Sequence, residues 1–158
     1  YTKGGKSGPS NKRAIVSLVE RGGNVRSFHV PRATKDTVTR IVNENLTREA
    51  TLYTDESRLY ADAKGLVSAH ETVNHSAKEY ARGMVHTNTV EGYFSIFKRG
   101  MRGVYQHCGE KHLHRYLAEF DFRYNGRSVD DDTRAVQSHK GAEGKRLTYR
   151  RTNRASAN

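Results

Sequence analysis

The chain has 158 residues, enough for one domain with a real core and too few for two of ordinary size. It carries 28 Lys and Arg against 17 Asp and Glu, a formal charge of +11; clustered cations gain affinity by releasing counterions from phosphates, so nucleic acid is the first partner expected. No run of about 18 apolar residues occurs and the opening residues form no charged-then-apolar leader, so the expectation is a soluble, cytoplasmic, nucleoid-associated protein with no membrane partner.

Residues 1–13 contain four Lys or Arg and no acid, and read as a basic N-terminal segment. Gly5-Lys6-Ser7 mimics the end of a phosphate-binding loop, but no strand or helix brackets it and the reading is set aside. Next come two short apolar runs, Ala14 to Glu20 and Asn24 to Val30. Arg21-Gly22-Gly23 joins them, which predicts an antiparallel hairpin because glycine accepts the positive φ of a tight turn. Thr34 can cap a helix whose Val38, Ile41, Val42 and Leu46 fall at helical spacing. The stretch ATLYTDE reads as a strand ending in Asp55, followed by a helical turn around Leu59 to Ala63 and an extended segment from Leu66 to Val73.

Two longer amphipathic helices follow. Val90, Tyr93, Phe94, Phe97 and Met101 make one apolar face, and Leu113, Tyr116, Leu117, Phe120 and Tyr124 repeat the spacing. Asn125-Gly126 reads as a C-terminal cap. The domain is expected over 14–127, with 128–158 a basic tail lacking apolar periodicity and expected to be disordered: from 134 onward it holds seven Lys or Arg and one acid, Glu143. Cys108 stands alone, which excludes an internal disulfide and reads as a reduced structural thiol. His107, Cys108, His112 and His114 match no common zinc spacing.

On the helix beginning near Thr87, the residues Asn88, Glu91, Ser95 and Lys98 are three or four apart and form a polar stripe beside the apolar face. Two turns, roughly 10 Å, separate Glu91 from Lys98, so the lysine does not simply neutralise the carboxylate. A carboxylate for a divalent cation flanked by a cation for a phosphate satisfies this pattern. An ordinary exposed glutamate near a positive helix N-terminus satisfies it too, and spacing leaves both open.

The stretches LYTDE, HTNTVEGYFSIFKRGMRGVY and KHLHRYLAEFDFRYNGR resemble the core of DDE-type insertion-sequence transposases of the ISXO-like branch, and the likeness runs from the hairpin through Arg127. It implies an α/β, ribonuclease H-like fold, a mixed sheet flanked by helices. Three acids would there hold two Mg²⁺ or Mn²⁺ ions for DNA strand cleavage and strand transfer. Asp55 matches the second acid, Glu91 the third and Lys98 the basic residue two turns on. Some members of the branch carry Asn at the third acidic position, which keeps Asn88 a candidate. The first acid is not matched: Tyr1 to Lys6 resembles the stretch that follows it and no Asp or Glu precedes Glu20, so the first strand is expected to be missing or incomplete and the chain inactive alone.

Arg99, Arg102, Arg123 and Arg127 are read as nonspecific phosphate contacts beside Lys98. Tyr93, Phe94 and Phe97 are read as core rather than base-stacking residues, Glu56 and Asp62 as solvent-facing, and His86 as either a cap-region residue or one that orients a carboxylate or phosphate. The partners implied are DNA at element ends and target, with homo-oligomeric assembly compatible. Two other functions fit the same residues: a basic DNA-binding relative that does not cut, and a metal-dependent nuclease without strand transfer.

Overall fold

In the computed structural model, which describes residues 13–74, 81–82, 85–106 and 108–145, the first two apolar runs form the expected hairpin. Strand β1 (Ala14–Val19) pairs antiparallel with β2 (Val25–Val30) in the register Ser17 to Ser27 and Val19 to Val25. The turn closes with Glu20 N donating to Asn24 O at 2.8 Å, and Gly22 takes φ 72°, a value that penalises any residue with a Cβ. Helix α1 (Lys35–Asn45) starts at Thr34, whose hydroxyl accepts from Thr37 N, and buries Val38, Ile41 and Val42. Strand β3 (Thr51–Asp55) then pairs in parallel with β4 (Ala69–Val73). The short strands β5 (Ala81–Arg82) and β6 (Val85–His86) make a third, antiparallel pair. Helices α2 (Asn88–Gly103) and α3 (Leu113–Asn125) complete this unit.

The alternation of β1 decides what lies on each side of the hairpin. Val16 and Leu18 pack with Val38 and Val42 of α1, together with Leu52 of β3. Ile15, on the opposite face, packs with Phe97 of α2 and Leu113 and Leu117 of α3. The hairpin is therefore covered on both faces, which is why its strands carry apolar residues at successive positions. Tyr93, Phe97 and Leu117 are the deepest side chains of the two long helices, in keeping with their spacing, and Phe94 is half-buried.

Several expectations are corrected. The turn after β3 is a 3-10 helix over Arg58–Gly65, and β4 begins only at Ala69. Gly126 does not take the left-handed conformation of a helix cap, and the Asn125 side chain is engaged with β2 instead. The basic tail is not structureless throughout: α4 (Asp131–Ala142) forms there, in a separate unit spanning Gly126–Asn158. Its stability is local, because no α4 residue is buried. Asp130 accepts from Thr133 N and from Thr133 Oγ1, both at 2.8 Å, and these bonds hold its carboxyl below the usual carboxylate range. Asp131 and Asp132 face the positive end of the helix and His139 and Lys140 the negative end. The segments 1–12 and 146–158, and His107, lie outside the described residues.

Candidate active site and nucleic-acid interface

Asp55 closes β3, where the strand gives way to a turn that its own side chain helps to form. Its Oδ1 accepts from Ser57 N at 3.0 Å, and Ser57 in turn caps the 3-10 helix by accepting from Leu59 N. Thr54, buried at the preceding position, bridges to His70 Nε2 at 2.9 Å and so ties the ends of β3 and β4 together. Burial pushes the His70 imidazole below its ordinary value. The Tyr60 phenol is raised, first by burial and then by the charge of Asp55.

Glu91 lies in the first turn of α2. The N-cap residue Thr87 makes no capping bond; it is buried, and its hydroxyl donates to Glu91 Oε1 at 2.6 Å, fixing the carboxylate against the helix start. Asp55 and Glu91 line one cleft of about 760 Å³, whose walls also include β1, His86 and Thr87. Leu52 faces α1, so alternation turns Tyr53 and Asp55 to the other side of β3. His86 Nδ1 is buried without a hydrogen-bond partner, and Asn88 is exposed as the first residue of α2.

Glu20, in the turn after β1, lines the same cleft as Asp55 and Glu91. Among the described residues no set of three or more His, Cys, Asp or Glu is placed to hold a metal ion. The donors that line the cleft are nonetheless of the kind that hard divalent cations take, carboxylate oxygens.

Farther along α2, Ser95, Lys98, Arg99 and Arg102 share one exposed face and line a shallow hollow of about 480 Å³ with Gly103. Lys98, Arg99 and Arg102 make no ion pair among the described residues. Arg123, by contrast, is bound to Glu119 at 2.8 Å, and Arg127 belongs to the Gly126–Asn158 unit. Glu56 is exposed, and Asp62 pairs with Lys35 at 2.8 Å. Cys108 packs against the Phe97 cluster, and burial raises its thiol. No helix is long and apolar enough to cross a membrane.

One polar constellation escaped the sequence reading. Asp121 accepts from Ser27 N at 2.7 Å, from Ser27 Oγ at 2.8 Å and from Tyr93 OH at 2.6 Å. One turn on, Asn125 accepts from Val25 N at 2.6 Å and donates to Val25 O at 3.0 Å. Four residues of helix advance about 6.0 Å and two of strand about 6.6 Å, so side chains at i and i+4 of α3 meet alternate backbone groups of β2. The signal was available as two polar residues four apart on an otherwise apolar-faced helix.

These elements make a strongly basic α/β domain with paired carboxylates in a cleft beside a row of cations. The family model described as the ISXO2-like transposase domain matches residues 1–125, and the chain belongs to that family. No curated protein and no solved structure matches the chain.

Proposed function

We infer that residues 14–127 are a ribonuclease H-like transposase catalytic domain that cleaves DNA strands and transfers their ends, moving an insertion sequence. The observation that carries this reading is that Asp55 and Glu91, from a strand end and a helix start, line the same cleft in a domain of a transposase family. Asp55 and Glu91 are the residues that would hold Mg²⁺ or Mn²⁺, which when bound lowers the pKa of an attacking hydroxyl and offsets charge on the phosphate. Thr87 keeps the Glu91 carboxylate oriented, and Lys98, Arg99 and Arg102 hold the DNA backbone against α2 without reading its sequence. DNA is the partner, and Asn88 and His86 stand close enough along the chain to Glu91 to contribute at the same site.

With no residue matching the family's first acid, the 158-residue chain binds DNA and leaves it uncut. A labelled duplex incubated with Mg²⁺ or Mn²⁺ tests this, beside a chain extended upstream until it supplies a third carboxylate. The extended chain should cut, and Glu91→Gln should lower that rate by orders of magnitude while binding persists. Joining of a 3′ end to a target separates transposition from plain hydrolysis. Efficient cleavage by the short chain, abolished by Asp55→Asn, would mean that another residue supplies the missing ligand. Binding without cutting by both chains would favour the non-catalytic reading.

A further inference from the structure

Asp55 is the last residue of β3, where the ladder with β4 ends and the chain turns toward Ser57. A carboxylate at a strand end keeps its bearing only if the backbone beneath it is held by more than the ladder. Such a hold exists on the opposite face of β3. Leu52 packs against Val38 and Val42 of α1, and alternation puts Thr54 on that same face. His70 of β4 pairs with Leu52 and so shares the face. Thr54 Oγ1 lies 2.9 Å from His70 Nε2 and donates to Asp55 O at 2.9 Å. A hydroxyl has one proton to give, and here it goes to the carbonyl; the bond from His70 is therefore one in which Nε2–H donates. Burial, the largest influence on the imidazole, lowers it, while the charge of Glu71 opposes this and that of Lys64 adds to it. The ring is accordingly neutral for the most part at pH 7, with its hydrogen on Nε2. Protonation in acid would add a hydrogen at Nδ1 and leave the bond in place.

We propose that His70 is a positioning residue for Asp55: from the rear of the sheet it aims the Thr54 hydroxyl at the Asp55 carbonyl, and so fixes the backbone from which the carboxylate enters the cleft. His70 itself does not line that cleft. The carboxylate is held a second time by Ser57 N, which donates to Oδ1 at 3.0 Å. Among the described residues no hydrogen bond reaches Oδ2, which leaves that oxygen to meet a cation. The relay asks for a donor at one particular reach. A Gln amide nitrogen extends as far as the imidazole Nε2, an Asn amide nitrogen only as far as Nδ1, and Leu offers no donor at all. The fixing of Asp55 follows from the hydrogen bonds alone; its use, to hold Mg²⁺ or Mn²⁺, rests on the function proposed above.

The isotope-labelled 158-residue chain serves for every measurement. The Ser57 amide, whose acceptor is the Asp55 carboxylate, reports whether Asp55 keeps its place. In His70→Leu its hydrogen exchange should quicken by about three- to tenfold, as loss of one hydrogen bond implies, while the Val25 and Ser27 amides, bonded to α3, exchange as before. His70→Gln should restore the wild-type rate and His70→Asn should not. Thr54→Val should match His70→Leu, and joining the two should add nothing, because both break the same relay. Ring-nitrogen spectra of the wild type should show His70 as the Nε2–H tautomer. Mn²⁺ then reads what the relay serves: broadening of the signals around Asp55 and Glu91 should need about three- to tenfold more ion in His70→Leu and return to normal in His70→Gln. An unchanged Ser57 amide in His70→Leu would overturn the proposal, as would equal losses in the Leu and Gln variants or an Nδ1–H tautomer. Quickening at Val25 and Ser27 as well would also overturn it, by making His70 a support of the whole domain. If the Ser57 pattern holds but Mn²⁺ broadens nothing near Asp55 even in the wild type, the positioning stands and the metal reading of the cleft falls.

Discussion

Asp121 shows how much one carboxylate can organise. It accepts three hydrogen bonds from two residues, and Ser17 adds a fourth contact by reaching Ser27 Oγ at 2.8 Å. Asp121→Ala leaves the Ser27 amide and the Tyr93 hydroxyl without their acceptor, and should cost about 2–4 kcal/mol in chemical denaturation. Tyr93→Phe keeps the ring in its edge-on contacts with Phe94 and Tyr124 and loses only the donor, so about 1 kcal/mol is expected. The same site imposes a pH dependence. Burial, then the bond to Asp121, raise the Tyr93 phenol well above its ordinary value of 10.0, and the bond to Ser27 opposes this. The contribution is fully present below pH 10, where both folded and unfolded phenols are protonated. It is lost as pH rises beyond that, because the unfolded chain ionises first. Denaturant midpoints measured from pH 9 upward should fall for the wild type and fall less for Tyr93→Phe. Sequence reading placed Tyr93 in the core from its spacing and had no means of seeing its hydroxyl partner, which lies 28 positions away.

At the level of elements, the hairpin and the three apolar-faced helices were legible, and the pairing of β3 with β4 was not. Thr34 and the spacing of Val38, Ile41 and Val42 fix α1 from local information, and the apolar stripes of α2 and α3 do the same. Strand pairing depends on residues far apart in sequence, so the parallel union of β3 with β4 could not be read from either strand. Helix α4 was missed because the reading searched for an apolar face, and this helix is held by its cap and end charges. Asp130→Ala should therefore lower helix content measured by circular dichroism without changing the unfolding of the Tyr1–Asn125 unit. The packing of α2 near Phe120 of α3 turns on Gly100, where an added Cβ would clash with Phe120 Cζ. Phe120 stacks edge-on against Phe97 at 5.0 Å and is packed in the same cluster, so it has little room to yield. Gly100→Ala should destabilise by about 1–3 kcal/mol by overpacking, although alanine is the better helix former. Thermal unfolding of the two proteins checks the sign.

For the molecule as a whole, charge was the most direct message of the sequence. If about six phosphates are neutralised, log K for duplex DNA should fall with log salt at a slope near −5, and a flat response would rule out electrostatic binding. Lys98, Arg99 and Arg102, which make no ion pair among the described residues, should carry more of that slope than Arg123, which Glu119 already holds. Replacing the three by Gln should make the slope shallower by about 2–3 units, and Arg123→Gln by less. The candidate carboxylates were legible by resemblance, and the cleft that they share was not, since it depends on β1 and α2 coming together across more than 70 positions.

Helix α2 carries Tyr93 and Phe97 inward and Glu91 and Lys98 outward on a single rigid rod. Each residue turns the rod by about 100°, so the inward pair sets the bearing of everything else on it. A single-codon insertion or deletion between Glu91 and Tyr93 would swing the carboxylate out of its cleft while the aromatic anchors kept their seats. Related genes should accordingly vary in length beyond Gly103, in the stretch before Glu110, and keep a constant count of residues from Thr87 to Met101.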